Sequence, residues 1–537
     1  MLRTALALIG LAFALAATAL AGSRAPAPTV PSVPPSVTAT TFFASGNGWG
    51  HGVGMSQYGA LGYANEGWTY DQILGHFYTG ATLGPAPVAR VRVLVGEEQG
   101  KTVVGSAVPY GVRDVFGTVH PLPAGPVALG PKLSLTLSGT PTELAGPVTF
   151  LPGTAPLTLD GRAYRGQLEV AVNEKKKLNV VNVVGLEQYL GGVVAQEMPS
   201  AWPVEALKAQ AVAARSYALA RRLPGKGFDL YSDVRSQVYG GVAGEQTSTT
   251  AAIEATKGEV LLWEGKPIDA LFHSTSGGTT VDAAEAFGKA VPYLVAVDDP
   301  WSALSPVHRW GPVPVSEAAV RRGLRLRAAV TALRLVRAPS GRIATAEAVT
   351  LLGTTKLTGT ALRAATGLRS TWITKLVSLS VTRPGGAAVF GRPVSLTGRA
   401  VGINGAVLEQ RVDGIWKRLG TSGAAPSAKL KLAAPGVVRI TAGKLVGPTL
   451  RIPLAPQVTA RAAGALTLTG RMRPLLPGSL VELQVEQAAD VWAAVAEATA
   501  GADGSFTASV PEPGTYRARV APAGGFAQGL SGRVVVR

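Results

Sequence analysis

The spacing of apolar residues changes along this chain and divides it into helical and β-rich stretches. In residues 185–222 apolar side chains recur every three or four positions, which predicts helices. Residues 85–184 alternate in the manner of strands and are punctuated by Gly and Pro turns. After Trp372 the helical spacing disappears and the alternation returns. Segregated helices and strands of this kind predict an α+β fold.

Local signals predict five helices. Ser56 is a candidate cap for a helix that runs toward Glu66, and Thr69 with Gln72 forms a capping box for a second helix ending near Tyr78. A third helix is predicted over residues 186–194. Pro203 and Glu205 then open the helix that follows, and an Arg-rich helix is expected over residues 316–324.

The chain is too long for one hydrophobic core. Single cores stop growing near about 250–300 residues, and this chain has 537. We predict a signal peptide at residues 1–21, a Pro/Ala-rich spacer at 22–39, an α+β domain at 42–375 and two β-sandwich-like modules at 376–453 and 456–537. The α+β domain divides into a Gly/His block at 42–80, a β-rich part at 85–184 and a mixed part at 185–375.

The two C-terminal modules carry an internal repeat. Residues 396–399 read Leu-Thr-Gly-Arg, and the same four residues recur at 468–471. Repetition of this kind, with alternating strands and turn signals, predicts two small tandem β-sandwiches. Neither has an acidic or histidine cluster, so we interpret them as wall-binding or spacer modules.

The first 21 residues have the layout of a secretory signal. Arg3 precedes an Ala/Leu run, and the small residues Ala19 and Ala21 suit a cleavage site. An uncleaved membrane anchor is the alternative, since the run approaches the roughly 20 residues that a span requires. Either way we expect an exported protein, in the periplasm or cell wall. The chain has no cysteine, which excludes disulfides and thiol chemistry.

The formal net charge of +18 predicts attraction to polyanions. For an exported protein the nearest polyanions are wall polymers and membrane lipids. Nucleic acid is disfavoured, because the basic residues are scattered and lack an aromatic-interleaved stripe. The alternative is that the Arg residues only solubilise the surface.

Glu197 is the first candidate for chemistry. It follows an apolar run and precedes a helix, and burial of a carboxyl group raises its pKa toward the range that a general acid needs. The alternative is a glutamate that caps backbone amides. Glu205, in the first turn after Pro203, suits that capping role better, which leaves both roles open for Glu197.

Two further segments carry candidate binding residues. A Gly-rich loop around His51 lets the backbone approach a ligand closely, and it also carries Gln57 and Tyr58. Aromatic faces such as that of Tyr58 suit sugar rings, although such loops also serve as tight turns. His273, Ser274 and Ser276 lie in a second segment, where contacts with a polar substrate are favoured over a Ser/His nucleophile because no Gly-x-Ser-x-Gly elbow is present.

The sequence predicts no metal and no cofactor. It has five histidines, no His-x-x-x-His pair and no cysteine, so the spacing of these residues does not indicate a closed zinc site. The Gly-rich loop also lacks the Gly-Lys-Ser/Thr ending of a phosphate loop.

Several of these segments together resemble the SpoIID/LytB family. The resemblance is carried by residues 186–194, 197–199, 202–218, 273–278, 298–301, 367–370 and 48–60, which match family blocks within residues 42–375. In the familiar order the Gly/His block closes the domain, whereas here it comes first, as in a circular permutation. We therefore expect residues 42–80 to pack against the region near Ser370.

The resemblance implies an activity and partners. Members include lytic transglycosylases that act on peptidoglycan glycan strands and enhancers of cell-wall amidases, and the family's catalytic glutamate falls on Glu197. From their positions we also expect substrate contacts by Gln196, which precedes Glu197, and by Arg215 and Tyr217 on the following helix, where they would meet the muramyl lactate carboxylate. Some members bind zinc through cysteines, which this chain lacks. The expected function is peptidoglycan cleavage by Glu197, and the alternative is a non-catalytic enhancer of an amidase.

Overall fold

A computed structural model describes residues 36–223, 225–522 and 524–537. The predicted signal peptide and residues 22–35 of the predicted spacer lie outside the described residues. Residues 37–39 belong to a strand, so the predicted spacer extends too far. This strand, β1 (Val37–Asn47), is fixed by pairing with two later strands. No helix in the described ranges is long and apolar enough to span a bilayer.

The N-terminal block folds as its capping signals predict. It contains β2 (Met55–Ser56), α1 (Gln57–Asn65) and α2 (Tyr70–Phe77). The Ser56 hydroxyl accepts the Gly59 N–H at 3.1 Å, which caps α1. The Thr69 N–H donates to the Gln72 side chain at 3.0 Å, as part of a capping box at the start of α2.

The β-structure predicted for residues 85–184 is confirmed. The strands are β3 (Thr82–Pro85), β4 (Arg90–Gln99), β5 (Thr102–Ser106), β6 (Tyr110–Arg113), β7 (Val119–Leu122), β8 (Gly125–Leu129), β9 (Ser134–Leu137), β10 (Thr140–Glu143), β11 (Val148–Leu151), β12 (Leu157–Leu159), β13 (Arg162–Tyr164), β14 (Gln167–Val172) and β15 (Leu178–Gly185). A seven-stranded sheet includes β4, β15, β14, β11, β6 and β7, and a four-stranded sheet has the order β13-β12-β5-β8. Both sheets contribute to one apolar core.

Helices follow these strands. They are α3 (Leu186–Gly191), α4 (Val194–Glu197), α5 (Val204–Ala220) and α6 (Thr247–Ala255). The single helix predicted over residues 186–194 is wrong, because it breaks at Gly192, where the Tyr239 ring lies 2.6 Å from the position that a Cβ would occupy. Helix α5 is rich in alanine because it packs into two cores. Ala211 and Ala214 face the β-rich core, and Ala209 faces the core of the N-terminal block.

Residues 223–372 mix short strands and helices. They form β16 (Leu230–Tyr231), β17 (Glu259–Trp263), β18 (Lys266–Pro267), β19 (Phe272–His273), α7 (Ala283–Phe287), β20 (Arg309–Ser316), α8 (Glu317–Gly323), β21 (Val330–Arg337), β22 (Ile343–Thr350), β23 (Gly353–Thr358) and α9 (Gly359–Thr366). Helix α8 confirms the Arg-rich helix predicted over residues 316–324, with Ser316 as its N-cap. Strands β19 and β2 pair in parallel and bring residues 272–273 beside the Gly/His block.

The remaining residues form strands alone. These are β24 (Ile373–Arg383), β25 (Ala388–Val389), β26 (Val394–Val401), β27 (Ala406–Val412), β28 (Ile415–Gly423), β29 (Ser427–Leu430), β30 (Gly436–Ala442), β31 (Leu445–Ile452), β32 (Leu454–Ala455), β33 (Gln457–Ala462), β34 (Thr467–Arg473), β35 (Leu480–Ala488), β36 (Val491–Thr499), β37 (Ser505–Ser509), β38 (Gly514–Ala521), β39 (Gly529–Leu530) and β40 (Val534–Val536). The repeated tetrapeptides occupy β26 and β34, and each module has its own apolar core. With its few helices and β-rich modules the fold is α+β.

The N-terminal strand joins the first C-terminal module to the preceding domain. One sheet has the order β20-β1-β24-β26-β29, with Thr41 opposite Leu379 and also opposite Ser316. The boundary predicted between residues 375 and 376 therefore falls inside β24. The alternation of apolar and polar residues predicts a strand here. It does not reveal that this strand pairs with residues more than 300 positions earlier.

Candidate functional site

Glu197 is the last residue of α4, just before the turn that leads into α5. Its side chain is partly buried, and desolvation raises the pKa of the carboxyl group, while a hydrogen bond with the Val238 backbone opposes the rise. A carboxyl group in such surroundings holds a proton at higher pH than an exposed one. Glu197 thus combines a raised pKa with partial access to solvent.

Two tyrosine side chains lie close enough to this carboxyl group to feel its charge. Burial chiefly raises the pKa of Tyr217 on α5, and the negative charge of Glu197 adds to that rise. Tyr189 is fully buried and feels the same charge. Across the turn, the rings of Tyr58 and Trp202 meet edge to face, with centroids 4.9 Å apart. Tyr58 and Tyr217 keep part of their surface exposed, so both remain available to a ligand.

Gln57 connects the Gly/His block to Glu197. Its amide nitrogen donates to the Glu197 carbonyl oxygen at 3.0 Å and to the Gln210 side-chain oxygen at 3.4 Å. Gln57 is buried, so it positions the turn that carries Glu197. The predicted contact between Gln57 and substrate is corrected accordingly.

His51 and His273 lie side by side, with ring centroids 5.4 Å apart. Nδ1 of His51 accepts the Val53 N–H at 3.1 Å, and Nδ1 of His273 lies 3.2 Å from the Val53 carbonyl oxygen. Burial, with added repulsion from Arg363, lowers the pKa of His51 to about 4. Burial also lowers the pKa of His273. Both rings are neutral at neutral pH, and His273 is too deeply buried for the substrate contact that was predicted.

The two serines that follow His273, Ser274 and Ser276, differ in exposure and in role. Ser276 is fully buried and donates to the Asp299 carboxylate at 2.5 Å, so it supports the fold and is corrected as a binding residue. Ser274 is partly exposed and lies 3.2 Å from the Thr275 hydroxyl, which leaves it accessible.

Arg215 and Gln196, both predicted to contact the substrate, differ in exposure. Arg215 is fully buried, pairs with Glu187 at 2.5 Å and donates to the Glu259 carbonyl oxygen at 2.9 Å. The predicted substrate contact is corrected, because no part of this guanidinium reaches the surface. Gln196 is exposed beside Glu197 and remains a candidate contact.

Glu205 caps a different helix from the one expected. Its carboxylate accepts the Tyr70 N–H at 2.8 Å, at the start of α2, and pairs with Lys208 at 2.7 Å. Helix α5 receives no side-chain cap from it. The sequence placed Glu205 correctly in a first turn, but it did not reveal that α2 packs against that turn. Val238 was missed as well, since a backbone group 41 positions beyond Glu197 leaves no local signal.

The fold and site together define an α+β protein with one partly buried carboxyl group at a helix joint, flanked by aromatic side chains. Residues 174–263 match the SpoIID family model, described as stage II sporulation protein. Stage II sporulation protein D of Bacillus amyloliquefaciens is 34% identical over 241 residues, which cover 40% of this chain and 67% of that protein. The chain therefore belongs to the SpoIID/LytB family.

Other relatives match over shorter stretches. An uncharacterised protein of Brachyspira hyodysenteriae is 40% identical over 146 residues, covering 26% of this chain and 39% of that protein. The amidase enhancer of Bacillus subtilis is 42% identical over 110 residues, covering 20% and 15%. The stretches that match thus cover well under two thirds of the length of each of these two relatives. A biofilm-associated protein domain aligns over 29% of each chain at 15% identity with a TM-score of 0.13, too low to bear on the fold.

The cysteine-containing zinc site of some family members does not fit this chain. The sequence has no cysteine, and residues 36–223, 225–522 and 524–537 hold no group of three His, Asp or Glu side chains arranged for a metal. Arg342 lies close enough to His273 to lower the pKa of that ring, and its positive charge opposes the binding of a cation there.

Proposed function

We propose that this protein is a peptidoglycan lytic transglycosylase with Glu197 as its acid/base. Membership of the SpoIID/LytB family and the names of its relatives support a function related to the cell wall. The finer proposal rests on one observation, the partly buried carboxyl group of Glu197, whose pKa is raised by desolvation. A general acid needs a raised pKa of this kind together with access to the substrate.

One carboxyl group is enough for this reaction. Protonated Glu197 would donate its proton to the glycosidic oxygen between N-acetylmuramic acid and N-acetylglucosamine, and the C1–O bond would break with its electron pair on that oxygen. The resulting carboxylate would accept the proton of the muramyl C6 hydroxyl as its oxygen bonds to C1. The product is a 1,6-anhydro end, and Glu197 regains its proton. Because the nucleophile is intramolecular, the second carboxylate of hydrolytic glycosidases is unnecessary.

The surrounding side chains suit sugar recognition. Trp49 is 47% exposed, and the Arg369 guanidinium lies 4.8 Å from its ring centroid. Three further side chains are at least partly exposed, those of Tyr58, Gln196 and Ser274. They lie near the Gly/His block, which the Gln57 side chain connects to the Glu197 carbonyl oxygen. Aromatic faces with polar neighbours are typical of saccharide sites.

The test is mass spectrometry of purified glycan strands incubated with the protein. Wild type is expected to produce anhydromuramyl ends, and Glu197→Gln is expected to lower their rate of formation by at least about a hundredfold. Glu254→Gln is a matched control, since Glu254 is an exposed side chain on α6 that pairs with Lys257. If wild type gives no anhydromuramyl ends, the proposal is rejected.

A second candidate is a non-catalytic enhancer of a cell-wall amidase, favoured by the 42% identity to the Bacillus subtilis amidase enhancer. An enhancer needs the fold but not the proton of Glu197. Stimulation of a purified amidase by Glu197→Gln as strongly as by wild type, with no anhydromuramyl ends from either, would support this function. Both functions place the protein outside the cytoplasmic membrane, which fractionation of cells would test.

A further inference from the structure

A cavity of about 500 Å³ lies next to His51, between the Gly/His block and residues 338–371. Much of its wall is apolar and comes from Val281, Phe287, Ala338 and Ile343. The polar part of its wall comes from His51, Glu285, Arg342 and residues 358–360. The mechanism proposed for Glu197 uses none of these side chains.

Arg342 is the unusual member of this wall. It is only 3% exposed, and its Nη2 atom donates to the Ser276 carbonyl oxygen at 2.7 Å. Its Nε and Nη1 atoms are buried and find no acceptor among the described residues. Glu285 attracts Arg342 through space but is itself hydrogen-bonded to Ser340. Buried guanidinium N–H groups without acceptors are costly, so a structure that keeps them suggests a missing partner.

The surroundings compensate the charge of Arg342 only in part: its guanidinium lies 5.0 Å from the centroid of the Trp372 ring and is attracted by one carboxylate, Glu285. Burial, with added repulsion from Arg363, lowers the pKa of Arg342 to about 10 against the attraction of Glu285. The same two arginines help to lower the pKa of His51 and of His273. Two guanidinium groups thus share one region with a single nearby carboxylate, beside two neutral histidines, and the repulsion between the arginines would be relieved by an anion.

The first turn of α9 forms another part of the cavity wall. Thr358 caps this helix by accepting the Ala361 N–H at 3.1 Å, and Gly359 and Thr360 follow it. The Cβ of any larger residue at Gly359 would lie 1.8 Å from the Ile343 carbonyl oxygen, which keeps this turn tight against the strand after Arg342. Backbone N–H groups at a helix start favour negative charge. The helix start and the buried guanidinium therefore favour the same kind of ligand.

We infer that this cavity binds a carboxylate carried on a short aliphatic body. The carboxylate matches Arg342 and the start of α9, and the aliphatic body matches Val281, Phe287 and Ile343. The source of the ligand rests on the proposed function. Peptidoglycan offers this chemistry twice, in the lactyl group of muramic acid without a peptide and in the amino acids of a stem peptide. The carboxylate contact first expected of Arg215 is thereby reassigned to Arg342.

Isothermal titration of the full protein with three probes tests the inference. N-acetylmuramic acid carries the lactyl carboxylate. Muramyl dipeptide carries one stem-peptide carboxylate, since its lactyl group is amidated, and N-acetylglucosamine carries none. Saturable binding is expected for at least one carboxylate probe and not for N-acetylglucosamine. Preference for one of the first two identifies the source. Equal binding of all three, or binding of neither carboxylate probe, would overturn the inference.

Variants locate the binding. Ala338→Phe fills the cavity and is expected to weaken binding at least tenfold. Val336→Phe is its matched control, because Val336 lies two residues before Ala338, near the end of β21, is 52% exposed and does not line the cavity. Arg342→Gln should weaken binding equally, with circular dichroism to verify its fold. Unchanged affinity in Ala338→Phe would refute the site.

The outcome is separable from that of the proposed function. Glu197→Gln is expected to bind the carboxylate probe as wild type does, because Glu197 does not line the cavity. Carboxylate binding without anhydromuramyl products would reject only the enzyme. Anhydromuramyl products without carboxylate binding would reject only the cavity ligand.

Discussion

The Ser370 hydroxyl donates a 2.6 Å hydrogen bond to the carbonyl oxygen of Asn47, across 323 positions of sequence. Next to it, the Gly50 N–H donates to the Arg369 carbonyl oxygen at 2.9 Å. These bonds confirm that the Gly/His block packs against the region near Ser370. The domain is therefore closed by its own N-terminal segment, as expected for a circular permutation.

Removal of this segment should prevent folding of the domain. A chain that begins at residue 85 loses β1, which is the neighbour of both β20 and β24. It also loses Met55 and Leu74, which exposes the core that they share with Leu207 and Leu261. We expect loss of soluble protein and of glycan cleavage, measured by size-exclusion chromatography and mass spectrometry. Soluble, fully active protein without residues 42–80 would contradict the packing.

A single substitution tests the hydrogen bond between Ser370 and Asn47 without removing a segment. Ser370→Ala removes the bond to Asn47 and an acceptor for the Trp372 N–H, and it should lower the free energy of unfolding by about 1–3 kcal/mol. Ser395→Ala, at an exposed position of β26, is the control and should change it by less than about 0.5 kcal/mol. Urea unfolding measures both. Equal stabilities would show that the bond is unimportant.

The pH dependence of Glu197 follows from its raised pKa. The acid must be protonated to start the reaction, so kcat/KM should fall as the pH rises through the raised pKa. Stability follows the same direction. A carboxyl group with a folded pKa above its unfolded value contributes most below the unfolded pKa, and that contribution is lost as the pH rises through the folded pKa.

Glu197→Gln should therefore gain stability relative to wild type as the pH rises. Thermal unfolding between about pH 4 and 8 measures the difference in Tm between the two proteins. Glu254→Gln, whose parent carboxylate is exposed, should show no such trend. A difference between Glu197→Gln and wild type that does not vary with pH would contradict the burial of this carboxyl group.

Arg215 should affect stability rather than substrate affinity. Arg215→Ala leaves Glu187 without its ion-pair partner and removes the guanidinium donor to the Glu259 carbonyl oxygen, and about 3–5 kcal/mol of unfolding free energy should be lost. Arg215→Lys keeps the charge and should lose less. The KM of folded Arg215→Lys should match that of wild type, and a raised KM with unchanged stability would restore the binding role.

The sequence predicted what is local and missed what is distant. The caps at Ser56 and Thr69 follow from residues three positions apart, so both were predictable. Gln57 touches Glu197 across 140 positions, and nothing in its neighbourhood marks it as a positioning residue. Arg215 was misassigned because helical spacing does not reveal that the helix is buried on two sides. Arg342 carries no motif, and only its unpaired nitrogens in the folded chain draw attention to it.

The neutral state of His51 gives a last prediction. Burial and Arg363 lower its pKa to about 4, so NMR of labelled protein should show no protonation of this ring at neutral pH. A histidine whose folded pKa lies below its unfolded value near 6.5 takes up protons on unfolding, so stability falls as the pH drops from 6.5 toward 4. Arg363→Gln removes the positive charge that, after burial, lowers the pKa of His51 most, and it should raise that pKa. A His51 that titrates near 6.5 in wild type, or is unaffected by Arg363→Gln, would contradict the positive field around the cavity.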